Sequence, residues 1–332
     1  MTQELTYTEQ AYIKLEHLCI TRIYDRYDGD DLSDAYRRME KELAAIKKKG
    51  TSLLFIVVYE ALCGVGAKHE KFSLRGDTGS SVVAYLLDIS EIDPVRIRPR
   101  LYSEFCFGLK GEENLSIEIN ATRKLYRKLV KFFEHYNGDA RIRYKHFTSG
   151  IVHGVGISDP QVLLRDYYDD NELFFSFLEI SGQKKYGRKV LSGQVFELFK
   201  PLTFEDQVKC RGLSVEGNGV WEGNAEELAK SGEIALGDLI AHREDVFEFM
   251  LNHGIEREKA YQISEDIRRG RIKRNGWDAE TIVLLYNAGI PEWYLKSCEK
   301  ISHVFPRAHS MIEIQHYGGL VAENCSDRIA IR

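Results

Sequence analysis

A chain of 332 residues, 43% hydrophobic and 29% charged, has the length of about two domains and can bury a core while staying soluble. Its net charge of −5 excludes a globally basic nucleic-acid binder and leaves only local basic patches open. Its 6 cysteines show no CxxC spacing, which argues against a disulfide framework or a zinc site and for a reducing, cytoplasmic setting.

The start, MTQELTYTEQAYIKLEHL, has neither a basic leader nor an apolar run, so neither a signal peptide nor a membrane partner is expected. Residues 34–49 place Tyr36, Met39, Leu43 and Ile46 at helical spacing, with acids early and lysines late as the helix dipole prefers. Gly50 is the expected helix stop, and Thr51 the cap of a further helix to about Leu62. The apolar run 52–67 carries Glu60 and is too short to span a bilayer comfortably, so it reads as a buried helix. After a loop at 64–80, SSVVAYLLDIS suits a helix with serines in its first turn.

The middle third changes period. Segments 101–109, 115–121, 140–147, 150–157 and 172–180 read as strands of one mixed sheet, with a helix at 122–136 between two of them. From Gly182 the chain reads helical again, at 204–210, 224–231, 243–253, 256–269, 278–288 and 291–303. The fold class is α+β, with domains at 1–185 and 186–332 and the junction near 182–193.

Arg75, Gly76, Gly79, Ser80 and Ser81, in RGDTGSS, form a candidate phosphate cradle. Glycines allow close backbone approach, successive N–H groups form a nest, and the following helix offers its positive end. Serine hydroxyls and the Arg75 fork add donors. A plain loop with a helix cap is the alternative for such a short string. Two basic stretches are candidates for phosphate contacts. One, at 123–145, holds Arg123, Lys124, Arg127, Lys128, Lys131, Arg141, Arg143 and Lys145, but its helical apolar spacing also fits a solvated face. The other is RRGRIKR, with Arg268, Arg269, Arg271, Lys273 and Arg274, for which a charged turn is an equal alternative. His153 reads as a strand histidine without a catalytic role. The acid-rich DYYDDNE at 166–172 reads as a turn. No GxSxG, Walker A or HExxH string is present.

RGDTGSSVVAYLLDISEIDP resembles the Gly-Ser motif and following helix of the PolC-type alpha subunit of bacterial DNA polymerase III. RRMEKELAAIKKKG, KPLTFEDQVKCRGLS, VWEGNAEEL, AYQISEDIRRG, IPEWYLKSCEKI and VFPRAH resemble further segments of that family in the same order, over roughly residues 20–310. The resemblance implies a nucleotidyltransferase palm of the polymerase-beta type, a mixed sheet with helices, followed by all-helical fingers. It implies Mg²⁺ or Mn²⁺ as cofactor, and DNA, nucleotide and replication proteins as partners. By the same resemblance, Ser116, Glu118 and Glu179 stand where the family has its catalytic aspartates, and Arg211, Ser214, Arg307 and His309 match its fingers and nucleotide contacts.

Serine brings no charge, and glutamate moves its carboxylate about 1–1.5 Å further out. Octahedral Mg²⁺ tolerates such changes poorly, so only a weak metal site at Glu118 and Glu179 is expected. The fingers also depart from the pattern. Val215 and Glu216 stand where the family has a histidine-bearing loop, and Glu313, Gln315, Gly318 and Gly319 interrupt its apolar helix after FPRAH. The expectation is a degenerate polymerase scaffold that retains binding. The alternatives are an active nucleotidyltransferase of narrower scope and an interaction scaffold that binds no nucleotide.

Overall fold

The structure, a computed structural model, describes residues 6–69, 72–111, 115–135, 142–146, 152–157, 161–167 and 193–324. The chain divides into two compact units, Met1–Asp170 and Asn171–Arg332. The expected strand at 172–180, with Glu179, lies outside the described residues, as does the expected junction near 182–193 apart from Gly193.

The first unit opens with three helices, α1 (Tyr7–Arg26), α2 (Gly29–Lys49) and α3 (Ser52–Gly64). Thr6 and Glu9 close a capping box on α1, whose Ala11, Leu15, Cys19 and Ile23 fall on one buried stripe. In α2, Asp30 and Asp31 sit in the first turn and Lys47, Lys48 and Lys49 in the last; Gly50 ends it at φ 66°, the left-handed conformation glycine adopts without cost. Thr51 precedes α3 without a side-chain cap bond; its hydroxyl turns back to the Ile46 carbonyl. As the apolar run requires, α3 is a core helix, with Leu54, Phe55, Ile56, Val57 and Val58 buried.

A five-stranded sheet follows, in the order β1-β2-β5-β4-β3. Its strands are β1 (Phe72–Arg75), β2 (Ser116–Thr122), β3 (Ile142–His146), β4 (Val152–Ile157) and β5 (Gln161–Tyr167). β1 runs antiparallel to β2, β2 parallel to β5, and β4 antiparallel to both β5 and β3. On β2, Ile117, Ile119 and Ala121 are buried, so Glu118 stands on the alternate face. Between β1 and β2 lie the 3-10 turn Gly76–Ser80 and two short helices, α4 (Val82–Leu86) and α5 (Glu104–Phe107). Helix α6 (Arg123–His135) buries Leu125, Leu129 and Phe133 and packs on α3, β2 and β5.

Three expectations need correction. The strand expected at 101–109 is the helical turn α5: Glu104, Phe105, Cys106 and Phe107 are all buried, which rules out the period-2 alternation of a strand, and Gly108 stops the turn at φ 78°. The loop at 64–80 contains β1, whose four residues are too few to display alternation. Asp166 and Tyr167, expected in a turn, close β5, which went unrecognised because Arg165 and Asp166 interrupt its apolar run.

The second unit is helical, with α7 (Gly193–Phe199), α8 (Phe204–Leu213), α9 (Glu226–Ser231), α10 (Arg243–Asn252), α11 (Arg257–Arg268), α12 (Arg271–Asn275), α13 (Ala279–Asn287), α14 (Glu292–Lys300) and α15 (Arg307–Asn324). Its core gathers Val208, Leu213, Phe247, Met250, Ile267, Leu295, Ile301 and Met311. Gly219, at φ 76°, lies so close to the Lys300 carbonyl that a Cβ there would collide with it. Helix α15 runs unbroken through Gly318 and Gly319, where the sequence suggested an interruption. Among the described residues no helix is long and apolar enough to cross a membrane.

Candidate functional site

In the first unit the site is built from β1, the turn after it, and β2. Arg75 is the last residue of β1, and the antiparallel register sets it opposite Glu118. The two side chains meet, Arg75 Nε to Glu118 Oε2 at 3.7 Å, and each is about one-sixth exposed (17% and 16%). Sequence-distant residues of the two expected groups, phosphate cradle and metal ligand, therefore share one charge pair. Ser116 lies two residues earlier on the same strand.

The turn itself is held from behind by α2. Glu42 is fully buried, and its carboxylate accepts from Ser81 Oγ at 2.7 Å, Val82 N at 3.2 Å and Val83 N at 3.1 Å. The positive end of α4, which the sequence suggested would face a phosphate, is taken up by this internal carboxylate. Ser81 also caps α4 by accepting from Ala84 N at 3.1 Å, and Ser80 Oγ donates to the Asp77 carbonyl at 2.6 Å. Arg38, one helical turn before Glu42, donates to it at 3.1 Å, to Leu101 O at 3.0 Å and to the Ser80 carbonyl. Gly79 is buried in the turn, whereas Gly76 is left-handed at φ 71° with open space where a Cβ would point.

Arg38 and Glu42 went unrecognised in the sequence. The signal was there: Ala35, Met39, Glu42 and Ile46 form one buried stripe of α2, with a carboxylate at a core position. A charge at such a position must be compensated by hydrogen bonds or an opposite charge.

In the second unit Arg307, one of the expected nucleotide contacts, lies in a buried ionic cluster. Arg307, the first residue of α15, is 2% exposed. Its guanidinium donates to Asp245 at 2.8 Å and Glu248 at 2.8 Å, and its backbone N–H to Glu244 at 3.0 Å. Lys209 adds a second cation to Asp245 at 3.0 Å. Burial, the largest influence, pushes the Asp245 carboxyl up; Lys209, the His242 hydrogen bond and Arg307 together outweigh it and hold the group well below the usual carboxylate range. Burial keeps His242 below the ordinary imidazole value, and its Nε2 lies 2.9 Å from Ser310 Oγ.

Arg211 Nε donates to Glu313 at 2.7 Å, and His309 Nε2 lies 3.2 Å from the same carboxyl group. Glu313 thus binds both Arg211 and His309, two residues expected from the resemblance to make fingers and nucleotide contacts. Ser214 Oγ donates to the Cys210 carbonyl at 2.7 Å, closing α8. In RRGRIKR the pairing is uneven. Glu265 takes Arg268 at 2.6 Å and Arg269 at 3.2 Å along with Arg243 at 3.0 Å, and Asp266 takes Arg271 at 2.7 Å. Lys273 and Arg274 stand exposed. Among the described residues no group of three His, Cys, Asp or Glu side chains is placed to hold a metal ion.

The α+β character of the first unit agrees with the comparison by sequence. Residues 13–179, just over half of the chain, match the family of bacterial DNA polymerase III alpha NTPase domains, and the chain belongs to that family. Within it, the chain is similar to proteins of the PolC type. It is 35% identical over 201 residues to the DNA polymerase III PolC-type of Ureaplasma parvum serovar 3, a match covering 58% of this chain and 13% of that protein. It is 39% identical over 117 residues to that of Staphylococcus aureus, covering 35% of this chain and 8% of the relative. It is 36% identical over 129 residues to that of Mycoplasma genitalium, covering 39% and 8%. The matched part is therefore about a tenth of the length of these relatives.

Proposed function

We propose that this chain is a palm-and-fingers relative of PolC-type DNA polymerase III in which templated synthesis has been lost and binding of DNA, nucleotide or a replication partner retained. The observation that carries the reading is the Arg75–Glu118 pair. A carboxylate beside a guanidinium, on a strand whose other family position is Ser116, is a poor donor set for two divalent ions. Two-metal phosphoryl transfer needs converging, uncompensated carboxylates to hold Mg²⁺ or Mn²⁺. The engagement of Arg211 and His309 by Glu313, and of Arg307 by Asp245 and Glu248, supports the same reading for the second unit. Side chains committed to internal partners are not presented to a triphosphate. Primer extension on a templated duplex, with Mg²⁺ and with Mn²⁺, tests it: the expected result is no template-directed product, and robust synthesis with either ion overturns it.

A further inference from the structure

Between α2 and the segment that begins at Ser103, the first unit holds a cleft of about 270 Å³. Lys41, Ala44, Ala45 and Lys48 form its α2 wall; they fall at i, i+3, i+4 and i+7, one face of the helix. Ser103, Phe107 and residues 108–111 form the other wall. Three contacts fix the walls to each other. Lys41 Nζ meets Glu104 at 3.0 Å, and Lys48 Nζ donates to the Lys110 carbonyl at 2.7 Å. Gly111, at φ 68°, comes so near α2 that a Cβ there would lie 2.9 Å from the Ala45 Cβ.

The polar groups of this lining are unevenly used. Ser103 is 7% exposed and stands at the cap position of α5, yet its hydroxyl makes no cap bond and no other hydrogen bond among the described residues. Lys48 is exposed and meets a neutral carbonyl, so among the described residues no carboxylate stands opposite its charge. Lys41 and Lys110 have protein partners of their own and add positive charge. The lining holds a single acid, Glu42, whose carboxylate is taken up by Ser81, Val82, Val83 and Arg38.

We propose that this cleft binds a small organic anion, with its phosphate or carboxylate held by Lys48 and Ser103 and its apolar body resting on Phe107 and Ala45. Three features choose the ligand. The volume lies just below the range of about 300–1,000 Å³ usual for ligand pockets, which suits a small molecule rather than a polymer. A metal ion would face three lysines and one carboxylate already engaged by the protein. A bare inorganic anion would leave Phe107, Ala45 and Leu109 uncovered, so the ligand carries an apolar part. None of Arg75, Gly76, Gly79, Ser80 and Ser81 lines the cleft, which makes it a site separate from the Gly-Ser turn.

The test is calorimetric titration of the full chain with phenyl phosphate and with benzoate, beside phenol and inorganic phosphate. At least one of the two aromatic anions should bind saturably at about 1 mM or tighter, and phenol and inorganic phosphate at least about tenfold more weakly. The better of the two anions tells phosphate from carboxylate. Lys48→Gln should weaken binding about tenfold and leave the urea midpoint unchanged, because the side chain is exposed. Ser103→Ala should weaken it at least about threefold, and it keeps the test decisive if Lys48→Gln folds poorly. Lys49→Gln, at the neighbouring exposed lysine outside the cleft, should bind as the parent does. Failure of both aromatic anions to bind overturns the proposal. So does binding that survives both Lys48→Gln and Ser103→Ala, or an equal loss through Lys49→Gln. Loss through Arg75→Gln instead would place the anion at the Gly-Ser turn and overturn it as well.

Discussion

Glu42 in the first unit and Arg307 in the second are both buried charges, and their surroundings are opposite in kind. Glu42 is an anion held mostly by neutral donors, two backbone N–H groups and a serine hydroxyl, with Arg38 as a charged partner. Arg307 is a cation surrounded by carboxylates, Asp245, Glu248 and Glu244. The difference shows what each segment can tolerate. A charge solvated by dipoles leaves weak dipoles behind when removed, whereas a charge balanced by other charges leaves those charges uncompensated in a buried place. In both units, segments that resemble an anion-gripping motif have their donors engaged by carboxylates of the chain itself.

The sharpest way to break this comparison is Arg307→Met. It should cost about 3–5 kcal/mol of unfolding free energy, the usual result of stripping a buried charge of its partner. The 3 tryptophans, Trp221, Trp277 and Trp293, all lie in the second unit, so tryptophan fluorescence in urea reads that unit selectively. A loss below about 1 kcal/mol would mean that Arg307 is not the centre of its cluster.

Glu42→Gln should be milder, about 2 kcal/mol, because the amide keeps one acceptor while losing the charge-assisted bonds. Hydrogen exchange at the Val82 and Val83 amides should speed up; protection equal to the parent would show that another group holds the turn.

Acid should separate the units least abruptly. His242 is held neutral by burial, below its unfolded value, so its contribution is complete above about pH 6.5 and is lost as pH falls below that. Asp245 and Glu265 lie below their unfolded values, so their contribution is present above about pH 4 and is lost as pH falls through it. The tryptophan-detected urea midpoint should therefore decline in two stages between pH 7 and pH 3. A flat profile would remove the ionic cluster from the account of stability.

Much of the frame was legible in local pattern. The dipole-ordered charges of α2, its Gly50 stop, the buried α3, the amphipathic α6 and the second-unit helices α8, α9, α10, α11, α13 and α14 follow from spacing and caps that neighbouring residues impose, whereas α7, α12 and α15 were not read as helices. The four-residue β1 and the charge-bearing β5 were not legible, because a strand in a sheet is decided by its neighbours across the ladder. The family motifs could be read as strings, and their order along the chain carried the kinship. What those strings touch could not be read.

By itself, then, the sequence determined the helical periods, the α+β class and the membership in the polymerase III alpha family, since each is written in residues close together or in motifs kept in order. Only the tertiary structure decided that Glu42 closes the Gly-Ser turn from 39 residues away, that Glu313 reaches Arg211 across 102, and that Arg75 faces Glu118. Electrostatic pairing acts through space at a few ångströms, and distance along the chain carries no information about it until the backbone has folded.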